Sequence, residues 1–182
     1  MVPSRSCKLI ALALALVSAA GVAAGCRRIK SQYLDLAKPA EHIWLKGRKI
    51  FIDPGHGGKG DTDPFRIGPK GVSEEEVNLH VALILEELLL KAGADVQMSR
   101  RRDRDVSLDK RAAMAEEFGP ELLVSIHHNG TIRRMDGVNY PSVLFWGSGE
   151  ANPASRDFAG MLLEELEKVV ECKGGVYSDF AI

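Results

Sequence analysis

The chain is 182 residues long, 45% apolar and 27% charged, with a formal net charge of −1. That supplies apolar side chains for one ordinary core, and it leaves no cationic excess of the kind that grips nucleic acid. Three cysteines, Cys7, Cys26 and Cys172, are too few for a disulfide-framed scaffold.

The first 25 residues read as a leader. Arg5 and Lys8 precede an alanine- and leucine-rich run from Leu9 to Ala24 that ends in small residues and is short for a membrane span, which is the plan of a secretory signal. Ala23-Ala24-Gly25-Cys26 resembles a bacterial lipobox, in which Cys26 would be lipidated and become the first mature residue. Ordinary processing after Ala24 is the alternative, and the lipoprotein reading is preferred because cysteine is scarce and one stands at the required place. Arg27 rather than aspartate follows it, which in a Gram-negative cell favours the outer membrane. Losing the leader removes two cations and no acid, so the charge moves from −1 to −3. Cys172 is then alone, and no disulfide can form within the chain even in an exported compartment that permits one. Residues 26–47 are polar and aperiodic and read as a tether; Arg27, Arg28 and Lys30 can touch anionic headgroups, although a solvated linker explains them more simply.

From Lys49 onward strand and helix alternate, through 48–182 as a single domain. Lys49 to Asp53 reads as strand, Glu74 to Lys91 as a helix closed by Gly93, and Asp95 to Ser99 as strand. Leu108 to Glu117 reads as a helix closed by Gly119, followed by strands at Leu122 to Ile126 and Ser142 to Trp146. Ser155 to Val170 reads as a helix with Phe158, Leu162, Leu166 and Val169 on one face. Ser73 to Glu76 has the S-x-x-E pattern of a capping box. The alternation implies an α/β fold: a mixed, mostly parallel sheet with helices on both faces.

In such sheets, sites form beyond the carboxyl ends of strands. Two strands here run out into histidine, Asp53-Pro54-Gly55-His56-Gly57-Gly58 and Leu122 to Ile126 followed by His127-His128-Asn129. Two histidines and one acid make three N/O ligands with a fourth tetrahedral position open, the catalytic pattern of zinc rather than of magnesium or calcium. An acid in the first turn of the Glu74 helix is held in its charged form by the helix dipole, but spacing leaves Glu74, Glu75 and Glu76 open. It likewise leaves His128 beside His127, although successive residues of an extended segment point oppositely. Asp53 is a candidate to orient a ligand histidine or simply to start the Asp-Pro turn, and Asn129 has the same ambiguity. In the run Arg100-Arg101-Arg102 a solvated loop is expected, with Arg100 and Arg111 as candidates for structural salt bridges.

Taken in order, the motifs from Arg48 onward resemble the zinc-dependent N-acetylmuramoyl-L-alanine amidases. The family's D-P-G-H-G-G stands as Asp53 to Gly58, its E-K-D-x-N-L as Glu74-Glu75-Glu76-Val77-Asn78-Leu79, and its S-I-H-x-N as Ser125-Ile126-His127-His128-Asn129. Its T-R-x-x-D-x-x-x-S-L-x-x-R segment is similar to Ser99 to Arg111. The resemblance selects His56, Glu74 and His127 as Zn2+ ligands. It implies hydrolysis of the amide joining N-acetylmuramic acid to L-alanine, with peptidoglycan muramyl peptides as substrate and a membrane reached through a lipid anchor in the cell envelope. It names no activating protein. Glu75 departs from the family's lysine, and Glu116 from a usual asparagine. The family's general-base glutamate lies on a strand that follows a segment like Gly175 to Phe180, so it is expected beyond Ile182. The reading is therefore of a catalytic domain truncated at its C-terminus, which binds zinc and cleaves weakly; a zinc-binding regulatory lipoprotein without catalysis is the alternative.

Overall fold

The computed structural model describes residues 44–58, 66–68, 71–128, 140–148, 150–170 and 172–179. The leader, Cys26, the tether as far as residue 43, and Asn129 lie outside the described residues. Two compact units divide the rest, one within Leu34–Asp136 and one within Gly137–Ile182.

In the first unit, β1 (Lys49–Pro54) is the middle of a three-stranded parallel sheet ordered β2-β1-β3, flanked by β2 (Asp95–Met98) and β3 (Leu122–Ile126). Ile50, Phe51 and Ile52 are all fully buried. Successive strand residues face opposite ways, so a run buried without alternation needs cover on both sides. Phe51 meets Phe118 of α2 (Leu108–Phe118), ring centroids 6.4 Å apart, and α1 (Glu74–Lys91) is the other helix against β1. On α1 the buried residues Glu74, Asn78, Val81, Leu85 and Leu89 recur at helical spacing. The stripe is apolar at its far end and polar at its start, which carries a carboxylate and an amide into the interior beside the sheet.

The capping box does not form. Ser73 has the extended N-cap conformation, yet its side chain makes no capping bond, and the first turn relies on Glu74, Glu75 and Glu76 against the helix dipole. Ser107 does cap α2, its Oγ accepting from the Lys110 N–H at 3.4 Å, and Gly119 ends that helix in the left-handed conformation.

In the second unit, β4 (Ser142–Trp146) pairs in parallel with β5 (Gly175–Asp179), and α3 (Pro153–Val170) packs on both. Ala159 and Leu162 are the buried residues of α3. β5 is an element that the sequence pattern does not announce. Among the described residues every strand pair is parallel, and an isolated antiparallel bridge joins Ile67 and Ser73. The fold is α/β, with three helices and parallel sheets. No helix among the described residues is long and apolar enough to cross a membrane, and Cys172 is a free thiol.

Candidate metal centre

The register of β1 on β3 sets the site. Asp53 lies opposite Ser125 and Pro54 opposite Ile126, and the Gly55 N–H continues the ladder to the Ile126 carbonyl at 3.0 Å. Two parallel strands thus end side by side, and the chain leaving each delivers an imidazole at once. The His56 and His127 rings meet edge to face, their centroids 4.8 Å apart. His127 lies against Gly55 so closely that a Cβ on Gly55 would run into its ring. His56 reaches its place by a left-handed backbone, φ 58°, which is costly for a residue with a side chain.

Glu74 closes the cluster from the start of α1. Its Oε2 lies 3.4 Å from His56 Nε2, and its Oε1 lies 3.1 Å from His127 Nδ1 while accepting the His128 backbone N–H at 3.1 Å. The carboxylate is 6% exposed, whereas the His56 and His127 side chains are 30% and 39% exposed, so the cluster is closed behind and open in front. Burial works against ionisation of Glu74, but the His127 hydrogen bond, the charge of His56 and the His128 N–H together outweigh it and bring its pKa down to about 2. Burial pushes the His56 pKa below its ordinary value, against the pull of Glu74. Near neutral pH the carboxylate is therefore charged and His56 carries no extra proton, the forms a metal requires.

A layer of buried polar groups stands behind the cluster. Arg111 donates to four acceptors: from Nη1 to the Asp53 carboxylate at 2.6 Å and the Pro54 carbonyl at 2.9 Å, from Nη2 to the His56 carbonyl at 2.5 Å, and from Nε to the Val106 carbonyl at 2.8 Å. The salt bridge expected of Arg111 is thus present, with Asp53 as its partner. Asp53 also accepts from Ser99 Oγ at 2.5 Å and Ser125 Oγ at 3.4 Å. Among the described residues, Asp53 is linked to His56 through Arg111, which holds the Asp53 carboxylate and the His56 carbonyl together. Arg100, the member of the arginine run expected in a structural salt bridge, bonds instead to backbone carbonyls. It is 1% exposed and donates to the Pro54, Gly55 and Glu75 carbonyls at 2.9 to 3.0 Å, while its neighbour Arg101 pairs with Glu86 at the surface.

His56, Glu74 and His127 fit a zinc ion by donor type and by size. One ligand atom from each lies within 4.8 Å of the others. A tetrahedral ion with bonds of about 2.0 to 2.1 Å sets its ligand atoms roughly 3.4 Å apart; each histidine lies near that distance from a Glu74 oxygen, His56 Nε2 3.4 Å from Oε2 and His127 Nδ1 3.1 Å from Oε1. His128 is not in this cluster. Its ring turns the other way, with Nδ1 2.8 Å from Asn78 Oδ1, as the alternation along an extended segment requires. Among residues the sequence did not single out, Asn78 and Gly55 are the ones that touch both histidine-bearing segments, and the only prior sign of them is their place inside the motifs.

Residues 50–180 match the family described as N-acetylmuramoyl-L-alanine amidase, a span that runs through both units. The N-acetylmuramoyl-L-alanine amidase CwlM of Bacillus licheniformis is 35% identical over 125 residues, 68% of this chain and 45% of that protein. The sporulation-specific N-acetylmuramoyl-L-alanine amidase of Bacillus subtilis is 39% identical over 98 residues, 52% of this chain and 37% of that one. This chain thus spans less than half the length of these relatives. Among solved structures, the catalytic domain of CwlV, an N-acetylmuramoyl-L-alanine amidase from Bacillus (Paenibacillus) polymyxa, superposes with a TM-score of 0.60 at 26% identity, over 72% of this chain and 70% of that one.

Proposed function

Because the chain belongs to the N-acetylmuramoyl-L-alanine amidase family, we propose that it hydrolyses the amide between N-acetylmuramic acid and the L-alanine of the peptidoglycan stem peptide, with one zinc ion held by His56, Glu74 and His127. The observation that carries this reading is the convergence of those three side chains at the ends of β1 and β3 and the start of α1. Held by these three side chains, a zinc ion would supply the Lewis acidity that activates a water molecule and polarises the scissile carbonyl.

The protein's own residues prepare that chemistry. Glu74 is charged and desolvated, and the His128 backbone N–H, which belongs to no ligand side chain, holds its carboxylate at the site. As a ligand it is committed, and taking the water's proton to the leaving amine is a task for a group outside the three. His56 and His127 keep their exposed edges toward solvent, which is where a muramyl peptide has access. We further propose that Cys26 anchors the protein by a lipid in the cell envelope, a lipid chain adding membrane affinity with each buried methylene. Cys26→Ser should then release the protein from membranes, and an unmodified N-terminus at Gly25 would count against the anchor.

Metal analysis of the purified protein should find about one zinc per chain. His127→Ala should lose it, and full zinc content in that variant would reject the ligand set. With peptidoglycan as substrate, zinc-dependent release of peptides with a free N-terminal L-alanine is the expected activity, and its persistence in Glu74→Ala would reject the mechanism.

A further inference from the structure

Asn78 sits one helical turn after Glu74 on the buried stripe of α1 and is completely inaccessible to solvent. Its amide reaches two different chain segments. Nδ2 donates to the Gly55 carbonyl at 3.1 Å, and Oδ1 lies 2.8 Å from His128 Nδ1. Gly55 immediately precedes His56, and His128 immediately follows His127.

The first of these bonds fixes the meaning of the second. A carbonyl oxygen can only accept, so the amide nitrogen must face Gly55 and the amide oxygen must face His128. An amide oxygen in turn only accepts, so His128 carries its proton on Nδ1 and donates it. The amide therefore cannot flip without placing two acceptors against each other at Gly55 and two donors against each other at His128. Inside a dry interior such a mismatch is costly. His128 is tied a second time, by its own backbone N–H to Glu74 Oε1.

We propose that Asn78 is a positioning residue of the metal centre, a single side chain that fastens the His56 segment and the His127 segment to the helix that carries Glu74. It touches neither the metal nor the substrate. The three ligands stand on three separate elements, and β-strand pairing alone sets only the height of the two histidine segments above the sheet. Asn78 holds both to α1 one turn further along, beside Arg100, which joins the Gly55 carbonyl to the Glu75 carbonyl, and Glu74, which accepts the His128 N–H. This proposal rests on the zinc reading of His56, Glu74 and His127, and the test separates the two.

Zinc affinity is measured by chelator competition, and the coordination geometry by the visible absorption of the cobalt(II)-substituted protein, for the unaltered chain, Asn78→Ala, His128→Ala and the double variant. Asn78→Ala should weaken zinc binding about ten- to a hundredfold, the usual effect of groups that orient ligands, and should change the cobalt band intensity. His128→Ala keeps the bond to Gly55 and should weaken binding by a smaller factor. The double variant should bind about as Asn78→Ala does, because the two side chains act through one bond. Binding is compared at a temperature where circular dichroism shows every variant folded, so a role confined to stability would lower the melting temperature and leave affinity and spectrum unmoved. Unchanged affinity and spectrum in Asn78→Ala overturn the proposal, as do effects of the two substitutions that multiply. If Asn78→Ala does not fold, His128→Ala decides alone, and full affinity there overturns it. An unaltered chain that takes up neither zinc nor cobalt sinks the metal reading itself, and this proposal with it.

Discussion

The two histidine segments leave neighbouring parallel strands at the same height and meet the same carboxylate, but they are restrained in opposite ways. His127 continues the extended direction of β3, and its ring is fixed by what surrounds it, the bare backbone of Gly55 on one side and Glu74 Oε1 on the other. His56 turns into the left-handed region, and its backbone is fixed by Arg111, which grips its carbonyl and the carboxylate of Asp53 together. One segment is placed by steric fit and the other by a buried ionic clamp. Two restraints of different physical kinds fail under different perturbations, and that difference can be measured.

The largest effect is expected at the steric seat. Gly55→Ala puts a methyl group where the His127 ring lies, so the ring must leave the cluster. Zinc affinity should fall by on the order of a hundredfold or more, read by chelator competition; near-normal affinity would mean that His127 has another place to sit. Next comes the ionic clamp. Arg111→Gln strands the Asp53 carboxylate in a largely buried place and should lower stability by roughly 3 kcal/mol, the range for breaking a buried pair. Arg111→Lys should recover only part of this, because one ammonium cannot reach four acceptors placed for a planar fork. Denaturant unfolding in the presence of chelator measures both.

A smaller effect should separate the two segments. With the metal removed, His56→Gly relieves a left-handed residue and should cost no stability, whereas His127→Gly adds only backbone freedom and should cost about 1 kcal/mol. Equal losses in the two variants would show that His56 is not strained. The smallest expected effect is on pH dependence. The His56 pKa is lowered by burial, so protons compete for its nitrogen only below the ordinary histidine value of about 6.5. Glu74, at about 2, stays charged throughout that range. Zinc affinity should hold as pH falls to about 6.5 and decline below it, the loss following histidine protonation. A decline beginning well above pH 6.5 would contradict the assigned direction.

Much of this was legible in the chain because it depends on local pattern. β1, α1, β3 and β4 follow from runs of apolar residues with their stops, and the strand-end histidines follow from those stops. What the sequence did not show is which polar side chains turn inward. Arg100 opens an arginine run whose next two members are exposed, and the three carbonyls that converge on it account for its burial. Ser73 has the residue type of a cap and the right backbone, but its hydroxyl makes no capping bond. Asn78 has a place in a motif, but its task shows only when the Gly55 carbonyl and His128 are seen on either side of it. β5 is five residues with little alternation, and its strand character comes from a β4 partner far back in the chain.

The placement of β1 at the centre of its sheet also orders events in time. Asp53 and Ser125, the pair just below the histidines, are 72 residues apart in sequence, against 46 for the Asp53–Ser99 contact on the other side. The span that closes the site is the longest of these loops and carries the larger entropic cost of closure. Contacts of such separation form slowly, so His56 and His127 should come together late in folding, after α1 has already packed on β1. Metal would then lock a nearly finished structure rather than template it. Stopped-flow refolding with and without zinc should show equal folding rates and slower unfolding with zinc, and faster folding with zinc would show that the ion gathers the histidines early.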